Sequence, residues 1–430
     1  MSLYNLISFC GIFILMFIAW LFSSDKRKVN WQLIFWGISL QMLFALVIFV
    51  FPPGASLFLW INDIAVKIMG SAMAGAEFVF GPLALPPGID GSLGFILAFQ
   101  GLPTIIFFSA LMSIFYYYGI MQRIITFFAR IFTRLMKVSG AESLCTASNI
   151  FVGVESSLTI RPYLENMTQS ELATILTAGM ATVASNVLAL YVFSLKSQFP
   201  TIAAHLISAS FLSAPAALIM SKLIVPETGT PVTLGQNIEL HYTRENNVIE
   251  SVINGANSAV RLIVGIVALL IAVLGLVALT DTIVVGLGGK VNALFGLGID
   301  WSFKSLLGYV FYPIALILGI PPTDALAIAK IIGERIIVTE VTAYQDLAAA
   351  MEVGTFKSNR SPVICSYALC GFAHIASAAI FIGGISAVAP KTTNTLSRIG
   401  IKALIAATLA CLMTGCVAGT FFSESSLLFR

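Results

Sequence analysis

Two seven-residue segments of the chain share one pattern of small residues. The first reads GMATVAS and covers residues 179–185, and the second reads GFAHIAS and covers residues 371–377. Glycine, two alanines and serine coincide, whereas Thr182 in the first segment corresponds to His374 in the second. A hydroxyl binds cations or hydrogen-bonding groups through its oxygen, and an imidazole binds protons, metals or polar solutes. Because the chain has only three histidines, we single out His374 as a candidate functional residue.

Close helix packing is a simpler explanation of the two heptads, since small residues let membrane helices approach each other. Each heptad, however, follows a stretch that carries a glutamate, Glu155 before the first and Glu340 before the second. Charged residues are costly in apolar segments, and they are retained where they face a cavity or a partner. The repeated arrangement therefore favours a binding site over packing alone.

The segments that carry these residues belong to an integral membrane protein. Hydrophobic residues make up 58% of the chain and charged residues 10%, whereas a soluble domain has about 25% charged residues. Uncharged runs recur that are near or above the roughly 20 residues of a membrane-spanning helix. These runs are 3–22, 31–51, 93–120, 172–195, 201–221, 262–280, 362–389 and 403–422. The first run lacks a basic leader and a cleavage site, so we expect a retained helix.

The basic residues predict the orientation of the chain. SSDKRKVN follows the first run, and QRIITFFARIFTRLMK (122–137) follows the third. The positive-inside rule places both in the cytoplasm and the amino terminus outside. The arginines of the second stretch recur at near-helical spacing, which predicts an amphipathic interfacial helix; a solvated basic loop is the alternative. The net charge of +3 is too small and dispersed to indicate a nucleic-acid partner.

Two further regions are apolar but interrupted. The first, residues 139–164, contains Asn149 and Glu155, and the second, residues 303–345, is broken in its middle by Pro321 and Pro322. The second region also contains several charged residues, among them Asp324, Lys330, Glu334, Arg335 and Glu340. Each region is long enough for two half-helices, so we predict two hairpins that enter and leave the membrane on the same side.

The predicted fold is therefore an all-α polytopic membrane protein. It has about eight transmembrane helices, an interfacial amphipathic helix, and two re-entrant helical hairpins in an inverted repeat. The predicted divisions are scaffold helices (1–120), the interfacial helix (121–138), a first repeat (139–225), a polar loop with a connecting scaffold helix (226–300) and a second repeat (301–430). Inverted repeats with broken helices are typical of secondary transporters, whose substrate sites lie near the membrane midplane.

Several stretches resemble the concentrative nucleoside transporter family. They are GAEFVFGPLA, LPTIIFFSALMSIFYYYGIMQ, SNIFVG, MTQSEL, LLGYVFYPIA, EVTAY and YALCGFA, in this order along nearly the whole chain. The resemblance implies a multi-pass transporter of a bacterial inner membrane that imports nucleosides or nucleoside-like solutes by sodium symport. It further implies a homotrimer in the lipid bilayer, with one substrate site in each protomer.

The resemblance also implies a site for the co-transported sodium ion. Its ligands would be the side chains of Asn149 and Thr182 and the backbone carbonyls of Val152 and Val183. Oxygen ligands suit a hard cation, and unwound backbone supplies carbonyl oxygens where a helix is broken. This donor set favours sodium over protons as the coupling ion.

For the substrate, the resemblance implies seven residues, with departures from the family pattern. They are Gly153, Val154, Glu155, Glu340, Phe372, His374 and Ser377. The family pattern Gly-Gln-Thr-Glu-Ala-Pro reads Gly-Val-Glu-Ser-Ser here, so Val154 replaces threonine and the glutamine has no counterpart. His374 stands at the position of an asparagine. The fold and the coupling ion therefore carry over better than the identity of the substrate.

Three other classes of function are a proton-coupled transporter, an enzyme and a passive channel. The main alternative is a proton-coupled transporter of a different polar solute, in which His374 acts with Glu155 or Glu340. Uptake that depends on pH and not on sodium would distinguish it. An enzyme is disfavoured, because the sequence has no nucleophile pattern beside His374, no paired-histidine metal motif and no phosphate-binding loop. A passive channel would not need two acidic hairpins.

Overall fold

The structure is a computed structural model. It describes residues 2–86, 89–242, 244–296, 298–424 and 426, with the backbone but not the side chain of residue 154. Regular secondary structure in this part of the chain is helical, apart from an isolated antiparallel bridge between Ser139 and Leu234.

The amino-terminal half of the chain contains ten α-helices in its described residues. They are α1 (Leu3–Leu21), α2 (Trp31–Ala45), α3 (Pro52–Phe80), α4 (Leu97–Gln100), α5 (Leu102–Tyr117), α6 (Ile120–Met136), α7 (Gly140–Asn149), α8 (Gln169–Ala181), α9 (Ser185–Leu195) and α10 (Ile202–Ile224). A π-helical turn, Leu46–Val50, extends α2, and 3-10 helical segments occupy Gly81–Ala84 and Val154–Asn166.

The carboxy-terminal half contains seven more α-helices in the part that the structure describes. They are α11 (Val248–Phe295), α12 (Phe303–Ile317), α13 (Pro322–Ile337), α14 (Glu340–Glu352), α15 (Arg360–Leu369), α16 (Ile375–Val388) and α17 (Thr393–Phe421). A short 3-10 turn, Pro390–Thr392, precedes α17.

Among the described residues, eight helical segments are long and apolar enough to cross a membrane. Seven of them overlap the predicted runs, and the eighth, Pro52–Ala84, was not predicted. The remaining predicted run, 362–389, is divided between α15 and α16 by a break. Length and hydropathy therefore give the predicted number of helices but a different set.

The ends of the helices show which of them cross. The amide of Ser24 donates to the carbonyl of Ile224 at 2.8 Å. Lys28, Lys137 and Lys222 line one cavity. These residues therefore lie at one end of the molecule, which the positive-inside rule makes the inner end. The chain leaves this end after Lys28 and has returned to it by Lys137, so it crosses an even number of times in between.

Helix α3 is the one that does not cross. Between residues 28 and 137, the described part of the chain has three segments that are long enough, namely Trp31–Val50 with α2, Pro52–Ala84 with α3 and Leu97–Tyr117 with α5. Asp63, Lys67 and Glu77 lie within α3, whereas α5 contains no charged residue. Since charges are costly in hydrocarbon, α2 and α5 are the two crossings. The eight crossings are then α1, α2, α5, α8–α9, α10, α11, α15–α16 and α17, which agrees with the predicted runs.

Helix α6 occupies the stretch predicted as an interfacial helix. Its buried residues include Met121, Ile125, Ala129 and Phe132, which recur at helical spacing. The side chain of Arg130, in contrast, is exposed. This segregation of apolar and basic residues is the amphipathic pattern of a helix at a membrane surface.

The two interrupted regions fold differently in detail. The first forms α7 and the 3-10 segment Val154–Asn166, joined by a four-residue turn. The second forms three helices, α12, α13 and α14, where two half-helices were predicted. The break at Pro321–Pro322 is present, but a second break follows at Val338–Thr339. The Thr339 side chain accepts a hydrogen bond from the Thr342 amide, so it caps a new helix that begins at Glu340.

The two halves of the molecule run in opposite directions. At the start of α7, Glu142 forms an ion pair with Lys222 at the inner end. At the start of α15, Arg360 donates to the carbonyls of Tyr4 and Gly319 at 2.9 and 2.8 Å. Tyr4 lies at the outer end, because α1 runs from there to the inner end. Helices α7 and α8 therefore begin inside, whereas α13 and α15 begin outside.

Candidate functional site

Two broken helices form the centre of the molecule. The first is α8–α9, interrupted at residues 182–184, and the second is α15–α16, interrupted at residues 370–374. Thr182 has φ −120° and ψ 162°, and His374 has φ −138° and ψ 163°. The corresponding positions of the two heptads therefore share one extended backbone conformation at the two breaks.

The heptad glycines lie where the two broken helices touch. A β-carbon on Gly371 would lie 2.8 Å from the carbonyl oxygen of Ala181, and one on Gly179 would lie 2.2 Å from the ring of Phe381. Each heptad thus packs against the opposite broken helix. Packing accounts for the glycines but not for the polar residues Thr182 and His374.

Glu340 is held in place by two helices. Its Oε1 accepts a 2.7 Å hydrogen bond from the Tyr191 hydroxyl on α9. Its Oε2 lies 2.9 Å from His374 Nε2 but has no hydrogen-bond donor in good geometry among the described residues. Glu340 is the first residue of α14, where the helix dipole favours negative charge. The carboxylate therefore keeps one acceptor oxygen for a ligand.

The His374 ring is held in place by Ser377. His374 Nδ1 accepts a 3.2 Å hydrogen bond from the amide of Ser377 and thereby caps α16. The Ser377 hydroxyl oxygen lies 2.6 Å from His374 Nε2. Both contacts hold the imidazole against the first turn of α16.

A cavity of about 100 Å³ lies between the breaks and brings most of the predicted substrate residues together. Six of them line it, namely Gly153, Glu155, Glu340, Phe372, His374 and Ser377. The side chain of the seventh, Val154, lies outside the described part of the structure. The opposite wall is apolar and is formed by α11 through Leu262, Ile266, Leu269 and Leu270. The cavity is therefore lined by polar residues from the breaks and by apolar residues from α11.

A second cavity, of about 270 Å³, adjoins the first. Both are lined by Gly153, Glu155 and Asn186. The second also reaches Tyr116 and Tyr242, whose rings lie 5.7 Å apart. Tyr242 belongs to the polar loop at the inner end, so the second cavity extends from the central one towards that end. Glu155 is exposed to this cavity space.

The four predicted sodium ligands lie in two segments that touch. Asn149 ends α7, Thr182 and Val183 lie in the first break, and all three are buried. The amide of Ser185 donates to the carbonyl of Phe151 at 3.0 Å, which joins the turn after α7 to the break. Val152 lies in the same turn. The donor set consists of uncharged oxygens, which suits a monovalent hard cation.

Three residues that sequence reasoning did not assign also contribute to this region. Tyr191 holds Glu340, and Ser156 contacts Asn149. Arg335 is fully buried on α13 and donates from Nη1 to the carbonyl of Ala368 at 2.9 Å. A cation near the end of α15 stabilises the broken helix, since carbonyls carry partial negative charge there. The sequence indicated a role for Arg335 only through its position as a charged residue in the otherwise apolar region 303–345.

Comparison with known families identifies the class of protein to which this fold and site belong. Residues 205–419 match the family model described as the carboxy terminus of the Na+ dependent nucleoside transporter, and residues 10–83 match its amino terminus. Residues 98–198 match a model described as Gate, nucleoside recognition. These matches follow one another along the chain, in the order expected of one family.

Related proteins cover nearly all of the chain. An uncharacterized transporter of Haemophilus influenzae is 36% identical over 418 residues, which are 96% of this chain and 97% of the relative. Solute carrier family 28 member 3 of Mus musculus is 36% identical over 96% of this chain. Sodium/nucleoside cotransporter 1 of Rattus norvegicus is 35% identical over 97% of it. The chain spans 58% of the mouse protein and 64% of the rat protein, less than two thirds of their length.

Solved structures show the same architecture. A structure of CNTnw in an inward-facing substrate-bound state superposes with a TM-score of 0.87 at 32% identity, over 97% of this chain and 98% of CNTnw. A CNTnw variant in an outward-facing state gives 0.88 at 32% identity. The chain belongs to the Na+ dependent nucleoside transporter family. The predicted family and the all-α polytopic membrane fold are thereby confirmed.

Proposed function

We propose that this protein is a secondary active transporter that imports nucleosides or nucleoside-like solutes by sodium symport. The observation that carries this proposal is the central cavity, where residues from both broken helices, the turn after α7 and the start of α14 meet. Membership of a transporter family supports it. No enzymatic activity is proposed.

The cavity suggests a division of roles among its residues. Glu340, His374 and Ser377 form a polar cluster suited to the hydroxyls of a ribose. Glu155 and Gly153 line the cavity from the turn after α7, and we propose that this turn, with Val154, contacts the base. A carboxylate accepts hydrogen bonds only, so Glu155 favours a base that presents N–H donors. Phe372 supplies an aromatic surface between them.

Sodium would bind at Asn149, Val152, Thr182 and Val183 and join the turn after α7 to the broken helix. The ion does no chemistry, and it helps to assemble the surface on which the substrate binds. Substrate affinity and sodium affinity are then linked reciprocally. The driving force is the sodium gradient together with the membrane potential, about 2.3 kcal/mol per charge per 100 mV.

The cellular setting and assembly belong to the same proposal. We place the protein in the inner membrane of a bacterium as a homotrimer, with the lipid bilayer around it. We further propose that residues 139–225 and 301–430 form two inverted repeats that carry the site. Residues 1–120, 121–138 and 226–300 then form the scaffold, the interfacial helix and the connecting loop and helix.

The alternative of proton coupling through His374 finds no support. The matching family is sodium dependent. Both ring nitrogens of His374 contact Ser377, Nδ1 its amide and Nε2 its hydroxyl. We therefore assign His374 to substrate selection and not to proton transfer.

Uptake into proteoliposomes tests the proposed function. Purified protein is reconstituted, and entry of radiolabelled uridine, adenosine and guanosine is followed with an inward sodium gradient or with potassium in its place. We expect sodium-dependent accumulation of at least one nucleoside. Accumulation that needs an inward proton gradient and ignores sodium would contradict the proposal, as would the failure of all three nucleosides to accumulate.

We expect His374→Asn to improve uptake of ordinary nucleosides. Asparagine is also a good helix N-cap, so α16 keeps its cap. Its amide nitrogen is then available to a ribose oxygen, whereas the histidine nitrogens are already engaged. The KM for uridine should fall by about tenfold, the value of one hydrogen bond, while the sodium dependence stays unchanged. An unchanged or higher KM, measured in the same liposomes, would refute this role of His374.

A further inference from the structure

Ser156 contacts a residue that we propose as a sodium ligand. Its hydroxyl donates a 2.9 Å hydrogen bond to the amide oxygen of Asn149. Asn149 ends α7 and Ser156 lies in the 3-10 segment that follows, so the bond crosses the turn between them. Ser156 is 1% exposed and Asn149 is fully buried. The contact is therefore shielded from solvent.

The rest of the cluster keeps both side chains in one orientation. Asn149 Nδ2 donates to the carbonyl of Cys145 at 3.1 Å, which leaves Oδ1 directed at Ser156. The Ser156 amide donates to the carbonyl of Gly153 at 3.0 Å, which holds the backbone of the turn. Two oxygen atoms, Asn149 Oδ1 and Ser156 Oγ, are thus held side by side beside the first break.

Such a pair of oxygens suits a hard cation. A cation the size of Ca²⁺ or Na⁺ binds oxygen ligands at about 2.3–2.6 Å, so two of its ligands lie only slightly further apart than a hydrogen-bonded pair. A hydroxyl has two lone pairs and a proton that rotates freely. When an ion binds the asparagine oxygen, the serine proton turns away and a lone pair faces the ion. The Cys145 thiol donates to Ser156 Oγ at 3.5 Å, which leaves the second lone pair of this oxygen for the ion.

We propose that the Ser156 hydroxyl is an additional ligand of the transported sodium ion, beside the four positions predicted from the sequence. The inference rests on the proposed sodium-coupled function. Without sodium, the same hydroxyl holds the Asn149 amide in the orientation that binds the ion. The family pattern has alanine after the glutamate of this turn, so an oxygen ligand from this position distinguishes this chain.

Thermal unfolding of the purified protein tests the inference without a substrate. The melting temperature is measured in detergent as sodium chloride replaces choline chloride at constant ionic strength, and the half-maximal sodium concentration is read from the shift. The variants are Ser156→Ala, Ser156→Cys and Asn149→Ala. Ser157→Ala is the matched control, because Ser157 is the adjacent serine and is equally buried, at 3% exposure.

We expect Ser156→Ala and Ser156→Cys to need about tenfold more sodium than the wild type, while Ser157→Ala titrates like the wild type. Asn149→Ala should lose the sodium response. Equal melting temperatures in choline would show that the serine variants are folded. If they titrate at the wild-type sodium concentration or below it, the inference is wrong although the sodium site stands. If the wild type itself shows no response to sodium, both the inference and the proposed coupling fail.

Discussion

Replacing Glu340 with glutamine is expected to reduce nucleoside uptake by roughly 100-fold, since hydrogen bonds to a charged group contribute about 1.5–3 kcal/mol. The carboxylate is buried, receives a hydrogen bond from Tyr191 and keeps Oε2 without a donor in the described structure. A ribose hydroxyl would donate a hydrogen bond to Oε2. Glutamine has nearly the same shape but presents an amide, so it keeps the packing and loses the charge.

The effect is measured as the initial rate of uptake at low substrate concentration. Glu352→Gln is the matched control, because Glu352 ends the same helix and its side chain is exposed. Tyr191→Phe should lower uptake by about tenfold, because it removes one hydrogen bond to the carboxylate. If Glu340→Gln transports at a rate close to the wild type, Glu340 does not bind the substrate.

Gly371→Ala is expected to destabilise the protein by about 2–5 kcal/mol and to abolish uptake. The backbone at Gly371 has φ 153°, which residues with a side chain rarely adopt. Such backbone strain costs about 1–3 kcal/mol. The added methyl group would also lie 2.6 Å from Cys411 Sγ and 2.8 Å from the carbonyl oxygen of Ala181. Overpacking of this kind costs about 1–3 kcal/mol. The Ala181 carbonyl belongs to the backbone and cannot rotate away as a side chain can. The breaks in α8–α9 and α15–α16 would therefore have to move apart.

Gly383→Ala is the matched control for this change. Gly383 lies in α16, on the same broken helix, and an added β-carbon would have no atom within 4 Å. Alanine is favoured over glycine inside a helix by about 1 kcal/mol, so this variant should melt at or above the wild-type temperature. Melting is followed in detergent, and uptake in liposomes. A Gly371→Ala protein as stable as the Gly383→Ala protein would show that the breaks are not in close contact.

The sequence alone was informative wherever the signal is local. Hydropathy predicted the membrane class and most of the long apolar helices, because the bilayer acts on each segment separately. The two heptads, each after a stretch with a glutamate, indicated a binding site. The amphipathic spacing of the arginines likewise predicted α6. These features are contained in windows of seven to about twenty residues.

Boundaries that depend on several residues were harder to predict. The proline pair at 321–322 marks one helix end, whereas the break before Glu340 depends on Thr339, a residue type that is common in strands as well as at helix N-caps. Helix α3 passes a hydropathy criterion, yet it does not cross, because the two ends of the surrounding chain segment lie on the same side. Neither the break before Glu340 nor the location of α3 outside the set of crossing helices can be predicted from the residues of that segment alone.

The composition of the site was decided by tertiary structure. Tyr191 and Glu340 are 149 positions apart, and Arg335 and Ala368 are 33 apart. The position of the His374 ring follows from where the Ser377 amide lies when α16 begins at residue 375. The sequence by itself determined the kind of protein and the residue types that a site would use. Only the packing of the two broken helices against each other determined which of those side chains meet, because their contacts join segments far apart in the chain.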